Sequence, residues 1–375
     1  MVVSKKKVTK KVTKKAKPKP KVQANPLWLG PAVDGVTQSM LARFLNCRER
    51  FRVRTLLGLG EADSFRVPIE YGNYWHEAEE AVAQNKSWEA AMDEYRMVLM
   101  NHYPMQQEQA LHWYNVAQLQ FPIYLEYWAK NRDVQEREPL LSEQEFEVEY
   151  HGTILRGKWD SVDIVDDQLV LQENKTKASV DEGSIGAQLS WDLQTLTYLT
   201  ALRTARDNGM YDLPPLPIRG IRYNVVRRPL GGGRHSIRQH KATKNKLAET
   251  LNEFYNRLAK LITEDADYFF MRWDVPVLKS DIETFERQFL SPVLTQLQHW
   301  YDWCIENWED PFAYCGKARA HGGGLHWRHP YGLYNPTNEG IIGEVEAFMD
   351  SGSSVGLHPV KDLYPELEYT RAPSK

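Results

Sequence analysis

Gly157-Lys-Trp-Asp160-Ser-Val-Asp163-Ile-Val165, then Asp166-Asp167, then Leu169-Val-Leu-Gln-Glu173-Asn-Lys175-Thr-Lys177 is the stretch on which the reading of this chain turns. Apolar and polar residues alternate in both halves, the period of half-buried strands, and the Asp-Asp pair between them reads as a hairpin turn. Just upstream, SEQEFEVEY (142–150) and TILRGKWDSVDIV (153–165) keep that period, so a three-stranded meander is expected. Moving outward, the period becomes helical. A long helix is expected from about Ser184 to Asn208, then a Pro-rich loop and a fourth strand in IRGIRYNVVRR (218–228). Toward the N-terminus, Thr37 to Leu57 places Met40, Leu41, Phe44, Leu45 and Phe51 at helical spacing, with Thr37 as N-cap. Further helical patterns run from about Glu70 to Gln84, Ser87 to Tyr103 and Glu108 to Lys130. Toward the C-terminus, helices are expected from about Thr243 to Phe270 and Ser280 to Asn307, and the Gly, His and Pro-rich chain beyond Cys315 reads as irregular.

Alternation puts Glu173 and Lys175 on one face of their strand, and hairpin pairing brings Asp160 beside them. Two carboxylates and one ammonium then share a small volume. This is the arrangement that hydrolysis of a phosphodiester requires: carboxylate oxygens for Mg2+ or Mn2+, and a lysine to orient water or stabilise developing charge. For an E-x-K triplet alone, a surface hairpin with solvated charges is by far the commoner account.

Several such segments occur together and in order. Gly157 to Asp160 followed by Glu173-Asn-Lys175-Thr176 resembles the G-x-x-D…(D/E)-x-K-T signature of RecB-like nucleases in the PD-(D/E)XK superfamily. Gln194-Thr-Leu-Thr-Tyr198 is similar to their Q-x-x-x-Y motif, SMLARFLNCRERFRV (39–53) to their N-terminal helix, and YGNYWHEAEEAV (71–82) to their G-x-x-x-H segment. The resemblance covers about Thr37 to Arg228. It implies an α/β, restriction-endonuclease-like core, a mixed central sheet flanked by helices, with N- and C-terminal helical additions. It implies that His76, Asp160, Glu173 and the Asn174 carbonyl ligate Mg2+ or Mn2+, that Lys175 positions the attacking water, and that Gln194 and Tyr198 face the active site. Asp163 matches a second acidic position of the family and Lys177 shares the face of Lys175; neither is assigned a role. The implied activity is hydrolysis of DNA phosphodiesters, as an exonuclease in DNA repair, recombination or phage DNA processing. A restriction-type endonuclease on the same core and a catalytically inactive DNA-binding module are the alternatives.

The net charge of -3 conceals an asymmetry, because ten of the 47 Lys and Arg residues, and none of the 50 Asp and Glu, lie in positions 1–22. Such a lysine block reads as a disordered arm, and Lys5, Lys6 and Lys7 are candidates for contact with nucleic-acid phosphates. Arg222, Arg227, Arg228 and Arg234, with His235 and Arg238, surround a Gly231-Gly232-Gly233 loop and are further candidates for DNA contact. The tryptophans, among them Trp113, Trp128, Trp191, Trp300, Trp303 and Trp308, read chiefly as core, with base stacking as the alternative. Cys47, Cys304 and Cys315 are one short of the four thiolates that hold the cluster of some RecB-like nucleases; His321, His326 or His329 could stand in for the fourth, but the ten residues between Cys304 and Cys315 replace the short spacing of those relatives, and no iron-sulfur cluster is expected. No apolar run long enough for a membrane span occurs, so the expected setting is cytoplasmic, in a bacterial or phage-infected cell, with DNA and replication or recombination proteins as partners. The expected organisation is an arm at 1–25, a helical region at 26–139 contributing His76, a nuclease core at 140–240, and a C-terminal helical region and tail at 241–375 packed on the same domain.

Overall fold

Asp166 and Asp167 take left-handed φ values of 51° and 56°, the conformation that a tight hairpin turn matching the right-handed strand twist requires. In the computed structural model this turn joins the two strands read from the sequence. The structure describes residues 25–46, 48–60, 64–130, 138–181, 183, 185–231, 235–243, 247–308, 358–360, 362–365 and 367. Lys5, Lys6, Lys7, Cys47, Arg234, Cys315, His321, His326 and His329 lie outside them.

In chain order the elements are β1 (Val36–Thr37), α1 (Gln38–Asn46), α2 (Arg48–Phe51), β2 (Leu59–Gly60), α3 (Val67–Ala83), α4 (Trp88–His102) and α5 (Gln107–Ala129). The meander follows as β3 (Glu138–Tyr150), β4 (Thr153–Val165) and β5 (Gln168–Lys177). Then come α6 (Ile185–Ser190), α7 (Leu193–Asp207), β6 (Ile218–Arg227), α8 (Leu251–Glu264), α9 (Ala266–Phe269), β7 (Phe270–Pro276), α10 (Lys279–Phe285), α11 (Ser291–Glu306) and β8 (His358–Pro359).

The central sheet is mixed, as the resemblance implied. β3, β4 and β5 pair antiparallel, β5 and β6 pair parallel across the α7 crossover, β7 adds antiparallel to β6, and β1 lies parallel to β4. β3 lines one edge of β4 along its length. The other edge is shared: β1 pairs with Leu155 and Arg156, whereas β5 pairs with Ser161 to Val165. Between these two partners β4 and β5 part, leaving a fork at Asp160.

Each face of the sheet carries its own apolar layer. On one, Phe146, Leu155, Trp159 and Tyr223 pack with Phe44, Leu196, Leu199 and Trp300 from α1, α7 and α11. On the other, Val226 and Phe270 pack with Tyr71, Trp75, Phe121 and Leu258 from α3, α5 and α8.

The sheet also takes strands from outside 140–240, since β1 and β7 belong to it. Several expected helices are divided. The helix expected over 184–208 breaks at Trp191, because Asp192 caps α7, its carboxylate accepting from the amides of Gln194 at 2.9 Å and Thr195 at 3.1 Å. The one expected from Thr243 starts only after a Thr250–Glu253 capping box, and its end at Phe270 is already strand. Those expected over 37–57 and 280–307 contain one wide turn each, at Arg52–Leu56 and Glu286–Leu290.

Candidate functional site

The ladder between β4 and β5 ends at Ser161 and Gln172. One residue further the strands diverge, and the amide of Asn174 donates instead to Asp160 Oδ2 at 2.6 Å. Asp160 is thereby fixed, buried in the crotch of the fork. Above it runs α3, which approaches β5 closely because Gly72 carries no side chain: a Cβ there would already touch Thr176 Oγ1 at 3.4 Å. One turn further along α3, His76 lands over the fork. Its Nδ1 lies 4.0 Å from Asp160 Oδ1 and 3.8 Å from Glu143 Oε1 of β3. One ligand atom from each of His76, Glu143 and Asp160 falls within 4.8 Å of the others, a spacing that a single metal ion can bridge.

Glu143 was not singled out from the sequence. It falls between the β3 partners of Ser161 and Trp159, opposite Asp160, and its backbone takes a left-handed φ of 47° although the register is the same on either side of it. Lys158 Nζ holds its other oxygen at 2.6 Å.

On the other side of the fork, the Glu173 carboxylate accepts from Lys175 and from Gln194 Nε2, the latter at 2.5 Å. Gln194 stands in the first turn of α7, where the Asp192 cap presents it. Asn174 points the opposite way, its Oδ1 accepting from Asn224 at 3.2 Å. Tyr198 packs edge-on against Phe146, with ring centres 5.4 Å apart. Both rings lie over Gly157, where a Cβ would come within 2.5 Å of Phe146 and 3.1 Å of Tyr198. The glycine of the G-x-x-D segment is thus the floor of an aromatic stack.

The electrostatics of the group follow from burial of several acids together. Burial, reinforced by Asp160 and only partly offset by Lys175, raises Glu173 to a pKa of about 7. Burial also raises Asp160, against the pull of His76. It lifts Glu79 of α3 to about 7, although Tyr124 donates to it. For His76 burial works downward, but Asp160, Glu143 and Glu79 outweigh it and bring the imidazole to about 9. Glu143 stays below the ordinary carboxylate range because His76 and Lys158 overcome its burial. Glu173 Oε2 and Glu79 Oε2 are buried without hydrogen-bond partners. An excess of buried acceptors of this kind matches a divalent cation, with the carboxylates as hard oxygen ligands and the His76 imidazole as a nitrogen ligand.

The remaining expected residues lie elsewhere. Asp163 is buried and accepts from Ser161 Oγ at 2.5 Å, while Lys177 is exposed. The three described arginines expected to contact DNA have internal partners. Arg222 forms a two-pronged ion pair with Asp274 at 2.6 and 2.9 Å. Arg227 lies 3.8 Å over the Tyr268 ring and donates to the Tyr268 carbonyl, and Arg228 is buried against Trp113. Their sequence signal, positive charge beside a glycine loop, did not reveal these partners.

Among the described residues no helix is long and apolar enough to cross a membrane. A family model described as the PD-(D/E)XK nuclease superfamily matches residues 36–271, from β1 to the start of β7. No curated protein matches the chain.

Proposed function

This chain belongs to the PD-(D/E)XK nuclease superfamily, and from that premise we propose that it is an exonuclease that hydrolyses DNA phosphodiesters with Mg2+ or Mn2+. The observation that carries the reading is the position of Asp160. It sits between His76 and Glu143 on one side of the fork and is electrostatically coupled to Glu173 and Lys175. His76, Glu143 and Asp160 would hold the ion, with Glu173 offering its unpartnered Oε2. A divalent ion bound there supplies Lewis acidity that polarises the phosphate and makes water easier to deprotonate.

The chain's own residues supply the rest. Burial pulls the Lys175 pKa down, but Glu173 and Asp160 more than restore it, so the side chain stays an ammonium at the pH of any assay. It serves to orient water and to stabilise charge that develops on the phosphate. Gln194 holds Glu173 in place through its amide. Asn174 aims Asp160 through its backbone N–H. Attack at a DNA end, in repair, recombination or phage DNA processing, is supported by the RecB-like combination of His76 before the sheet and Gln194-x-x-x-Tyr198 after it.

The test is a time course with Mg2+ or Mn2+ on end-labelled linear DNA and on covalently closed circular DNA. Wild-type protein is expected to release mononucleotides from linear DNA and to leave the circle intact. Asp160→Ala and Lys175→Ala are expected to lose activity by orders of magnitude while keeping the fold by circular dichroism. Wild-type turnover in Lys175→Ala, or cleavage that survives exhaustive chelation, would overturn the assignment; cleavage of the circle would make the protein an endonuclease.

A further inference from the structure

A cavity of about 330 Å³ opens between α3, α5 and the sheet and shares Glu143 and Asp160 with the candidate metal group. We propose that it is a nucleobase pocket, taking the terminal base of the strand being cut while the adjoining phosphate lies at His76, Glu143 and Asp160. The proposal rests on the nuclease reading for its substrate, but the pocket is argued from its own walls.

Its size is near the lower end of small-molecule sites, about 300–1,000 Å³, which suits one base and not a duplex. The wall on α5 is aromatic, built from Tyr124 and Trp128 with Phe121 fully buried behind them. Arg272 lies 3.8 Å over one face of Trp128, which fixes that ring. Aromatic side chains are what an unpaired base packs on, whatever its identity. The floor is polar, with Gln172 and Asn174 beside Asp160, and the rim at Val82 and Ala129 is exposed, so a strand end can enter from solvent.

The hydrogen-bonding character of the pocket is set by what is already engaged. Tyr124 O–H donates to Glu79 Oε1 at 2.6 Å, and Lys158 holds Glu143. Glu79 lines the cavity, and its Oε2 is buried and has no partner. Above the value of about 7 to which burial lifts Glu79 the group is ionised, and its spare oxygen then accepts and does not donate. It fits the exocyclic amino group of adenine, cytosine or guanine, whereas thymine offers only its ring N3–H, set back from the base edge. The pocket therefore favours strand ends that carry an amino-bearing base. It also gives an end-directed enzyme a reason to stop at one nucleotide, because only one base fits between the aromatic wall and the candidate metal group.

Two measurements test this. In the first, dAMP, dCMP, dGMP, dTMP and deoxyribose 5-phosphate are titrated into the full chain with Mg2+ by calorimetry. The amino-bearing nucleotides are expected to bind several-fold tighter than dTMP, and the base-free sugar phosphate to bind about tenfold weaker than dAMP, the scale of one stacked base. Val82→Trp fills the mouth from an exposed position and should abolish this discrimination. Glu79→Gln, which keeps the Tyr124 contact but turns an amide N–H into the cavity, should shift preference toward dTMP. Equal binding of all five ligands by wild type, or unchanged preferences in both variants, would overturn the proposal. In the second, wild-type rates are compared on linear DNA with intact and abasic terminal nucleotides; equal rates would also overturn it. Hydrolysis of bis(4-nitrophenyl) phosphate with Mn2+ separates the two readings. If wild type cleaves neither this base-free diester nor DNA, the nuclease reading fails and the calorimetry alone decides the pocket.

Discussion

Glu143 carries a left-handed φ of 47° in the middle of a strand, a conformation that costs a residue with a Cβ on the order of 1–3 kcal/mol and that clusters at functional sites. Nothing in SEQEFEVEY announces it, because a period-two pattern records which face a residue occupies and not the backbone angle at a single position. Around it, burial disfavours ionisation of Asp160, Glu173 and Glu79. Glu173 shows this most clearly, since its value moves from 4.5 to about 7. A carboxyl raised in this way contributes stability that is fully present below pH 4.5 and lost as pH rises through 7. We therefore expect Glu173→Gln to be more stable than wild type in metal-free buffer at pH 8, on the order of 1 kcal/mol, while cleaving far more slowly. A lower melting temperature for the metal-free variant at that pH would refute the argument. His76 has the same sign. Its value rises from 6.5 to about 9, so its stabilisation of the metal-free protein is complete below pH 6.5 and fades as pH rises through 9. Metal must displace that proton. The Mn2+ affinity should accordingly climb from pH 6 to pH 9, and the climb should be shallower in His76→Ala; a flat profile in wild type would remove His76 from the metal group.

At the scale of elements, the meander, α7 and the crossover strand β6 were legible in the sequence because their faces are cleanly divided between core and solvent or site. The breaks were not, because they depend on single polar residues that compete for backbone amides: Asp192 divides the helix expected over 184–208, and Thr250 with Glu253 delays α8. The sequence brought Asp160, Glu173 and Lys175 to one hairpin by pairing alone. It did not give the fork, which arises because β1 and β5 divide one edge of β4 between them. Gly157 shows how closely element packing and site are joined. A methyl group there would press into Phe146 at 2.5 Å and Tyr198 at 3.1 Å, and overpacking of this kind costs about 1–3 kcal/mol. Relief requires α7 to move away from the sheet, and Gln194 moves with it. Gly157→Ala should thus lower the melting temperature and the cleavage rate together. Phe146→Leu, which makes room for the methyl, should restore both in the double variant; a double variant no better than Gly157→Ala alone would sever the link between this stack and the site.

At the scale of the whole molecule, β1 and β3 to β7 enter one sheet, with an apolar layer on each face, and the candidate metal group lies at the fork in that sheet. The described residues near the C-terminus reach back to the start of this arrangement. Tyr364 is buried, and its hydroxyl donates to the Asp34 carbonyl at 2.6 Å, the same oxygen that takes Arg156 Nε at 2.6 Å. Arg156 in turn pairs with Thr37 in the short ladder between β1 and β4. β8 adds to β2 beside it. The segment therefore fastens the loop that delivers β1 to the sheet, at the end of β4 that β5 does not reach. Removing residues 358–375 should cost about 3–5 kcal/mol, the scale of losing a buried aromatic side chain. Tyr364→Phe, which keeps the ring and loses only the hydroxyl, should cost about 1 kcal/mol. Since Asp160 lies past the β1 pairing, both forms should cleave linear DNA at the wild-type rate at temperatures well below their melting points. Melting temperature and initial rate measured on the same preparations decide it: equal stability of the truncated and full-length chains would show that this contact fastens nothing, and a truncated chain that is folded but inactive would tie the fork to the chain end.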